Sequence, residues 1–433
     1  MTPPATAHRR ILSLAAMTPV HRAFHWLHLH QPQLRQWLFD IVRIPAPPFG
    51  EHARADWFAE RFQALGLVNV HLDEEGNVLG ETPARPAAPG ATPGATPGAT
   101  PGATSGILLL SAHLDTVFPP GTVCEPTEDG PRILAPGICD NAAGLSALLA
   151  IAAALDFAAI TTPVPILFAA NVGEEGEGDL RGMRYLFTAG PFRDRICAAI
   201  ALEGSGTSTV VTRALGSLRL RVTITGPGGH SWTDAGAPNP ILILSRALVD
   251  LTALPLPSQP RTTLNAGQIS GGTSINSIPE SAAVLLDLRS THPAQIRASA
   301  AELCTSIRET VDAANAENPS HPPARLSIEI IGERPAAALP DDSPLLETVR
   351  SVDRHLNLRT ETRIGSTDAN LPLSLEIPAI AMGAGGIGGG IHTLAEWYDT
   401  SGRETALRRI LLTVLDTTQL IAEAALPPAP DIP

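Results

Sequence analysis

Short, continuous apolar runs punctuate the chain and are separated by longer stretches of mixed character. Such runs occupy residues 107–112, 166–170 and 198–202, and a fourth covers Ala379–Met382 near the C-terminus. Residues 142–157, between the first two runs, have the length and the Ala/Leu content of a helix. Continuous apolar strands that alternate with helices are typical of a mixed or parallel sheet covered on both faces. The pattern therefore predicts a mixed-sheet α/β fold.

The middle of the chain has a different periodicity. Gly216–Thr225 alternates strictly between apolar and polar residues, which indicates a strand with one exposed face. The elements predicted after it are a helix at 240–254, strands at 262–270 and 282–289, a helix at 293–315 and a strand at 325–331. This βαββαβ order is that of the ferredoxin-like split unit. We therefore expect a small domain at 214–332, inserted into a larger α/β domain formed by 1–213 and 333–433.

Residues 84–105 repeat Gly-Ala-Thr-Pro several times. A tract of this composition has too few apolar side chains to bury a core. Loop closure becomes only slowly more costly with length, so a surface connection tolerates such a tract. We expect a disordered insertion here and no domain boundary.

The N-terminus has some features of a secretory signal. His8-Arg9-Arg10 precedes a short apolar stretch at 11–17, but Thr18 and Pro19 end that stretch early. The simpler interpretations are a tail without packed structure or a misassigned start codon. No apolar run approaches the roughly 20 residues that span a bilayer. We therefore expect a cytoplasmic protein that does not bind membranes, with secretion as the less favoured alternative.

Charge and cysteine content narrow the function. The 433 residues have a formal net charge of −13, whereas a nucleic-acid-binding surface needs an excess of Lys and Arg. The four cysteines have no paired spacing, so neither a disulfide framework nor a thiolate zinc site is indicated. A reducing compartment agrees with this cysteine usage. A small-molecule substrate remains compatible with the charge, because local charges dominate inside a cleft.

Each apolar run of the larger domain leads to residues that can ligate a metal. These residues are His113, Asp115, Glu174, Glu175, Glu203 and His392, with Asp140 at the start of the helix at 142–157. In open α/β sheets, ligand-binding residues gather at the carboxyl ends of the strands. Imidazoles and carboxylates without a thiolate suit zinc, and manganese or cobalt as well. The sequence thus predicts a metal site at this edge of the sheet.

Each of these residues also has an ordinary structural explanation. A His-x-Asp sequence at a strand end is usually a hydrogen-bonded pair, and Asp140 alone is a typical helix N-cap. Glu174-Glu175 alone suggests a solvated acidic turn, and His392 a buried core histidine. Their joint placement favours the metal site.

A site for two metals makes further demands on its ligands. Two metals about 3.5–4 Å apart need one bridging carboxylate and share an activated water. A further carboxylate takes the proton of that water.

Several sequence blocks resemble the signature of one zinc exopeptidase family. That family contains carboxypeptidase G, the succinyl-diaminopimelate desuccinylases, acetylornithine deacetylase, the aminoacylases and peptidase T. The blocks follow the family's order and are Ser111-Ala112-His113-Leu114-Asp115-Thr116-Val117, Gly137-Ile138-Cys139-Asp140-Asn141, Gly173-Glu174-Glu175-Gly176, Glu203-Gly204 and Gly390-Ile391-His392-Thr393. The predicted inserted domain adds Gly226-Pro227-Gly228-Gly229-His230-Ser231, Asn276-Ser277-Ile278-Pro279 and Asp287-Leu288-Arg289. The resemblance covers roughly residues 34–420.

The resemblance implies a set of metal ligands. Asp140 bridges two zinc ions, and it precedes a cis peptide bond to Asn141. His113 and Glu203 complete one metal site. Glu175 and His392 complete the other.

It also implies the catalytic and substrate-binding residues. Asp115 orients the imidazole of His113, and Glu174 acts first as general base and then as general acid. His230 of the inserted domain stabilises the oxyanion that develops on the substrate. Asn276 and Arg289 hold the terminal carboxylate or the acyl oxygen of the substrate.

The implied function is that of a two-zinc metallopeptidase, an exopeptidase that cleaves an amide bond in small peptides by means of a metal-bridged water. An N-acyl-amino-acid deacylase with the same mechanism is the alternative. The family pattern also implies a homodimer formed through the inserted domain at 214–332. Trp232 is larger than the usual residue at its position, and Ala395-Glu396 replaces the Asn-Glu ending of the desuccinylases. The change in the C-terminal block at Ala395-Glu396 argues against a succinyl-diaminopimelate substrate.

Two further classes of protein can be compared with this prediction. A catalytically inactive binding protein would have lost at least one ligand, yet every ligand position and Glu174 are retained. A serine hydrolase of the α/β type would carry a Gly-x-Ser-x-Gly elbow, which this sequence lacks. The metallohydrolase is therefore the favoured prediction.

Overall fold

The computed structural model of the protein describes residues 4–83 and 106–423. Its α-helices are α1 (Pro4–Ala15), α2 (Thr18–Leu29), α3 (Gln31–Arg43), α4 (His52–Ala64), α5 (Ala142–Ala158), α6 (Arg181–Thr188), α7 (Pro240–Ala253), α8 (Pro293–Glu317), α9 (Pro344–His355), α10 (Asn370–Ser374) and α11 (Arg403–Ala422). None of these helices is both long and apolar enough to cross a bilayer. The insertion predicted at 84–105 lies outside the described residues.

Within residues 4–83 and 106–423, the strands form four sheets. They are β1 (Val68–Leu72), β2 (Val78–Glu81), β3 (Ile107–His113), β4 (Thr127–Asp129), β5 (Arg132–Leu134), β6 (Ile166–Asn171), β7 (Ile196–Leu202), β8 (Thr209–Ala214), β9 (Gly216–Thr225), β10 (Gly229–His230), β11 (Thr262–Gly271), β12 (Ser277–Ile278), β13 (Ser281–Ser290), β14 (Arg325–Arg334), β15 (Ala337–Ala338), β16 (Glu361–Gly365), β17 (Ala379–Met382), β18 (Ile387–Gly389) and β19 (Trp397–Asp399). The chain divides into two compact units, one formed by Met1–Arg213 with Ala338–Pro433 and the other by Ala214–Ala337. We call them the catalytic unit and the inserted unit.

The catalytic unit is built on a mixed sheet. Its strand order is β1-β2-β6-β3-β7-β17-β8-β15, with β16 also paired to β8. The neighbours β6, β3, β7 and β17 run parallel, whereas β2 lies antiparallel to β6. The four parallel strands are buried along their whole length, which explains why they are apolar without alternation. The predicted mixed-sheet α/β fold is confirmed.

The N-terminal segment is part of this unit, and its interpretation as a tail without packed structure is wrong. Residues 4–15 form α1, which packs against α9 and α11. Ala7, Ile11 and Leu14 are buried and have the i, i+4, i+7 spacing of one helical face. Arg10 follows Ala7 by three residues and so borders the same face, where it forms two hydrogen bonds of 2.8 and 2.9 Å with the buried carboxylate of Asp416. Arg10, one of the basic residues that suggested a secretory signal, therefore forms an ion pair within the folded unit.

The inserted unit contains the predicted βαββαβ elements. Its four-stranded sheet has the order β11-β13-β9-β14, and every pair in it is antiparallel. The helices α7 and α8 pack on β9 and β13. The apolar positions of β9, Leu218 to Ile224 in alternation, are buried together with the apolar faces of these helices. The alternation of the sequence therefore identifies the covered face of this sheet.

Candidate metal centre

Three neighbouring parallel strands carry acidic or imidazole side chains to one edge of the catalytic sheet. The strand β3 ends at His113, and β7 ends one residue before Glu203. Glu174 and Glu175 follow the end of β6, where Gly173 in a left-handed conformation turns the chain. Parallel strands end at the same edge of a sheet, so residues far apart in sequence meet there.

The five predicted metal ligands form a continuous cluster. Asp140 lies in its middle: its Oδ1 is 3.1 Å from Nε2 of His113, and its Oδ2 is 3.0 Å from Nε2 of His392. The outer members are Glu203, 3.5 Å from Nε2 of His113, and Glu175, 2.9 Å from Nε2 of His392. Asp140 thus presents one oxygen to each of two imidazole–carboxylate pairs.

The cluster has the chemistry and the spacing of a metal site. Two ligands of one tetrahedral zinc ion, with bonds near 2 Å, lie about 3.3 Å apart. The separations within the cluster are close to this value. Nε2 of His113 and Oδ1 of Asp140 are buried without a hydrogen-bond partner, although they lie 3.1 Å apart. Buried polar atoms without hydrogen bonds are costly, and a cation between them removes the cost.

The carboxylates strongly perturb the two imidazoles of the cluster. Hydrogen bonds to Asp140 and Glu175 raise the pKa of His392 to about 10. Burial lowers the pKa of His113, but the charge of Glu203 and contacts with neighbouring carboxylates outweigh burial and raise it well above its ordinary value. In the absence of metal the raised pKa values favour the charged form of both imidazoles, with a proton on each ring nitrogen. A metal ion has to displace the proton on the nitrogen that it binds.

The carboxylates respond in opposite directions. Burial opposes ionisation of Asp140, but its close contacts with the imidazoles of His113 and His392 outweigh burial and lower its pKa. Burial raises the pKa of Glu203 to about 7 despite the attraction of His113. The central carboxylate is therefore the one most firmly held in the ionised state that a bridging ligand requires.

Asp115 contacts two parts of the site. Its carboxylate accepts hydrogen bonds from the backbone N–H groups of Glu174 and Glu175, at 3.0 and 2.7 Å. Nδ1 of His113 is 3.1 Å from the backbone oxygen of Asp115 and 3.5 Å from its carboxylate. All of these residues are buried. Asp115 therefore positions the Glu174–Glu175 loop at least as closely as it positions the imidazole.

Asn141 places the segment that carries Asp140. The Asp140–Asn141 peptide is cis, as the family resemblance implies. Asn141, and not Asp140, is the N-cap of α5: its side-chain oxygen accepts hydrogen bonds from the N–H groups of Gly144 and Gly204. Its amide group donates to the carbonyl of Leu202. The start of α5 is thereby tied to the loop that carries Glu203.

Glu396 is a positioning residue that the sequence did not reveal. Its buried carboxylate accepts three hydrogen bonds of 2.8 Å from the backbone N–H groups of Gly137, Cys139 and Asp140. Burial raises the pKa of Glu396 to about 7, against the effect of these N–H groups. Since Glu396 lies four residues after His392, it connects the loops of two ligands. The only signal in the sequence is an acidic residue close to a candidate ligand.

The remaining predicted site residues belong to the inserted unit and lie in two places. His230 in β10 pairs with Ser277 in β12, next to Asn276. Arg289 lies near the far end of β13, where its Nε donates a 2.6 Å hydrogen bond to Asp287. The antiparallel ladder pairs Arg289 with Ser217 at one end and Ser281 with Thr225 at the other. His230 and Asn276 are therefore close together, and Arg289 is far from both within the unit.

The sequence matches a known family model and is similar to several curated proteins. The model described as peptidase family M20/M25/M40 matches residues 109–416. A probable carboxypeptidase of Emericella nidulans is 28% identical over 268 residues, which cover 56% of this chain and 59% of that protein, less than two thirds of its length. The acetylornithine deacetylase of Yersinia pseudotuberculosis is 28% identical over 300 residues, which cover 65% of this chain and 72% of that protein.

Solved structures share the fold. The aminopeptidase PepT of Bacillus cereus superimposes with a TM-score of 0.66 and 20% identity, over 90% of this chain and 99% of that one. A protein of Bacillus subtilis described as a dinuclear metal-binding peptidase superimposes with a TM-score of 0.61 and 14% identity, over 90% and 98% of the two chains. At these identities the likeness concerns the fold alone.

Proposed function

The chain belongs to peptidase family M20/M25/M40 and is a metal-dependent hydrolase, and we propose that it is an exopeptidase. In this proposal the protein uses two metal ions to cleave an amide bond in small peptides. One observation carries the proposal. Asp140 presents its two carboxylate oxygens to His113 and His392, each of which has a second carboxylate beside it. This arrangement supplies two three-ligand sites that share one residue.

We assign His113, Asp140 and Glu203 to one metal and Asp140, Glu175 and His392 to the other. Imidazole and carboxylate ligands suit zinc, and cobalt or manganese can replace it. When bound, such a metal pair polarises the scissile carbonyl and makes water acidic enough to be deprotonated near neutral pH.

Glu174 is the proposed general base. It is buried beside the ligand Glu175, and the backbone N–H groups of both residues are held by Asp115. In this proposal the carboxylate of Glu174 accepts the proton of the attacking water and later donates it to the leaving amine. Asp115 contributes by fixing the backbone that carries Glu174.

The inserted unit supplies the substrate contacts in this proposal. The Arg289 guanidinium suits the terminal carboxylate of a peptide, because it presents parallel N–H donors to two oxygens. His230 donates a hydrogen bond to the oxyanion that develops on the scissile carbonyl, and Asn276 binds the substrate next to it.

The register of the inserted sheet favours a site shared between two subunits. Arg289 follows Ser281 by eight positions along β13, which corresponds to about 26 Å at 3.3 Å per residue. His230 lies beyond the Ser281 end of the ladder. An extended substrate of two or three residues spans only about 7–11 Å. The Arg289 and His230 of one chain are therefore too far apart to bind the same small substrate.

We propose that His230 and Asn276 complete the site of a partner copy in a homodimer formed through the inserted unit. The edge strand β11 supports this proposal, because its residues 265–271 are exposed and Ile269 is 60% accessible. An unpaired strand edge pairs readily with its symmetry mate across a two-fold axis.

An N-acyl-amino-acid deacylase is the second candidate. The similarity to an acetylornithine deacetylase favours it, and the same ligands and the same general base serve either reaction. The two functions differ in the group that lies on the acyl side of the scissile amide.

Metal analysis combined with a substrate panel tests the proposal. Purified protein is expected to contain about two metal ions per chain, to lose activity with a chelator and to regain it with zinc, cobalt or manganese. Dipeptides, tripeptides and N-acyl amino acids are then compared by kcat/KM. The exopeptidase proposal requires peptides to be the better substrates, and preference for acyl amino acids would select the deacylase. Full activity in metal-free protein would reject both.

A further inference from the structure

Residues 230–234 of the inserted unit form a turn, here called the His230 turn. The side chains at its two ends, those of His230 and Asp234, accept hydrogen bonds from backbone N–H groups of the turn. Nδ1 of His230 accepts hydrogen bonds from the backbone N–H groups of Trp232 at 3.1 Å and Thr233 at 3.4 Å. In return, Oδ2 of Asp234 accepts a 2.7 Å hydrogen bond from the backbone N–H of His230. The backbone of Asp234 also donates to the carbonyl of His230 at 3.0 Å. This reciprocity resembles the capping box of a helix, with an imidazole nitrogen as one of the acceptors.

The two hydrogen bonds to the ring determine where its proton resides. A neutral imidazole has one N–H and one acceptor nitrogen. Since Nδ1 of His230 faces two backbone donors, it is the acceptor, and the proton belongs on Nε2. The opposite tautomer would direct an N–H group at two other N–H groups and lose both hydrogen bonds.

We infer that the His230 turn holds His230 in the Nε2–H tautomer and that Asp234 is the positioning residue that maintains the turn. The inference deepens the proposed function, in which His230 stabilises a developing oxyanion. An oxyanion needs a donor that is already oriented, because reorientation during the reaction costs free energy. In the Nε2–H tautomer, Nε2 can only donate a hydrogen bond.

The surroundings of the turn are consistent with this role for Asp234. Gly229 has φ +142, and a Cβ atom at this position would lie 2.8 Å from both Cβ and Oδ2 of Asp234. Glycine therefore permits the carboxylate to reach the backbone N–H of His230. The turn is also joined to the second proposed substrate-binding residue, because the N–H of Ser231 donates to the carbonyl of Asn276 at 3.1 Å.

Nitrogen NMR tests the tautomer directly. The intact enzyme is labelled with ¹⁵N-histidine, and the His230 signals are identified as those missing from His230→Ala. We expect one ring nitrogen of His230 to resonate as a protonated nitrogen and the other as an unprotonated one, with the coupling pattern that assigns the proton to Nε2. A proton on Nδ1, or equal populations of both tautomers, would overturn the inference.

Substitutions test the role of Asp234. Asp234→Ala should bring the two nitrogen signals towards each other and lower kcat about tenfold with little change in KM, a smaller loss than removal of the donor itself. Asp234→Asn keeps an acceptor oxygen and should restore both readouts. Asp312→Ala removes an exposed carboxylate of α8 and serves as the matched control.

A second variant perturbs the hydrogen bond between His230 and Asp234 through the neighbouring residue Gly229. Gly229→Ala displaces the Asp234 carboxylate without changing it, and it should shift the nitrogen signals in the same way. Thermal melts verify that each variant is folded. If both variants are folded and retain the nitrogen signals and the kcat of the wild type, Asp234 is not a positioning residue. Full turnover in His230→Ala would instead refute the oxyanion role and leave the tautomer measurement standing.

Discussion

Two adjacent residues, Glu174 and Glu175, have different environments and therefore different expected effects when changed. Glu175 lies 2.9 Å from His392 within the ligand cluster. Glu174→Gln should retain both metals and lose turnover by at least about a hundredfold, because an amide cannot accept a proton from water. Glu175→Gln should instead lose one metal. The measurements are metal content and kcat for each variant.

The exposed Glu177, two residues further on, provides the matched control for these two variants. Glu177→Gln should have normal metal content and normal kcat. Near-normal turnover of Glu174→Gln with both metals present would mean that another residue is the general base.

Glu396 affects the metal ligands indirectly, through the backbone around Asp140. Glu396→Gln should leave every ligand in place but disturb the three N–H contacts around Asp140, because an amide offers one acceptor oxygen and adds a donor. Residues that orient a ligand typically contribute ten- to a hundredfold to metal affinity, so we expect a loss of about that size. Competition with a chelator measures it. Unchanged affinity, equal to that of the exposed control Glu60→Gln, would show that the loop holds its shape without Glu396.

At the scale of elements, a largely buried ion pair adds to the apolar contacts that hold the N-terminal helix α1. Arg10→Ala would leave the carboxylate of Asp416 buried, with the hydroxyl of Thr348 as a remaining donor at 2.6 Å. Removing one partner of a buried pair costs about 3 kcal/mol. We therefore expect the free energy of unfolding to fall by about that amount, as measured by chemical denaturation.

The catalytic constants should not change in this variant, because neither partner of the ion pair belongs to the ligand cluster. The neighbouring Arg9 is exposed, and Arg9→Ala should change stability by less than about 0.5 kcal/mol. Equal stabilities of the two variants would show that α1 is held by its apolar face alone.

At the scale of the whole molecule, the homodimer with shared sites can be tested by subunit exchange. His230→Ala should keep both metals and lose at least about a hundredfold in turnover. Mixed with Glu174→Gln, it should recover about a quarter of wild-type activity. The reason is that half of the randomly formed dimers are heterodimers and each heterodimer rebuilds one of its two sites.

The control mixture pairs Glu174→Gln with Asp140→Asn. Both changes lie in the catalytic unit, so a heterodimer of these variants rebuilds no site and should remain inactive. Differently tagged copies establish that heterodimers form in each mixture. Heterodimers of His230→Ala and Glu174→Gln without activity would show that His230 does not serve the partner's site.

The sequence by itself determined the elements and the residues at their ends. Full burial makes a parallel strand continuously apolar, and one-sided burial makes a strand alternate, so β3 and β9 could be recognised from local patterns alone. Because parallel strands end at one edge, the ligands His113 and Glu203 could be expected to meet there. The spacing of Ala7, Ile11 and Leu14 is an equally local pattern, but three apolar positions do not by themselves show what a helix packs against.

Only the tertiary structure decided which backbone groups the polar side chains satisfy. Glu396 accepts hydrogen bonds from residues more than 250 positions away, and Arg10 pairs with Asp416, 406 positions away. The capping of the turn by the His230 ring spans only four residues, but it depends on backbone angles that no residue type enforces. Local patterns report which side chains are buried, whereas a hydrogen bond requires a donor and an acceptor to be brought within about 3 Å by the packing of the whole chain.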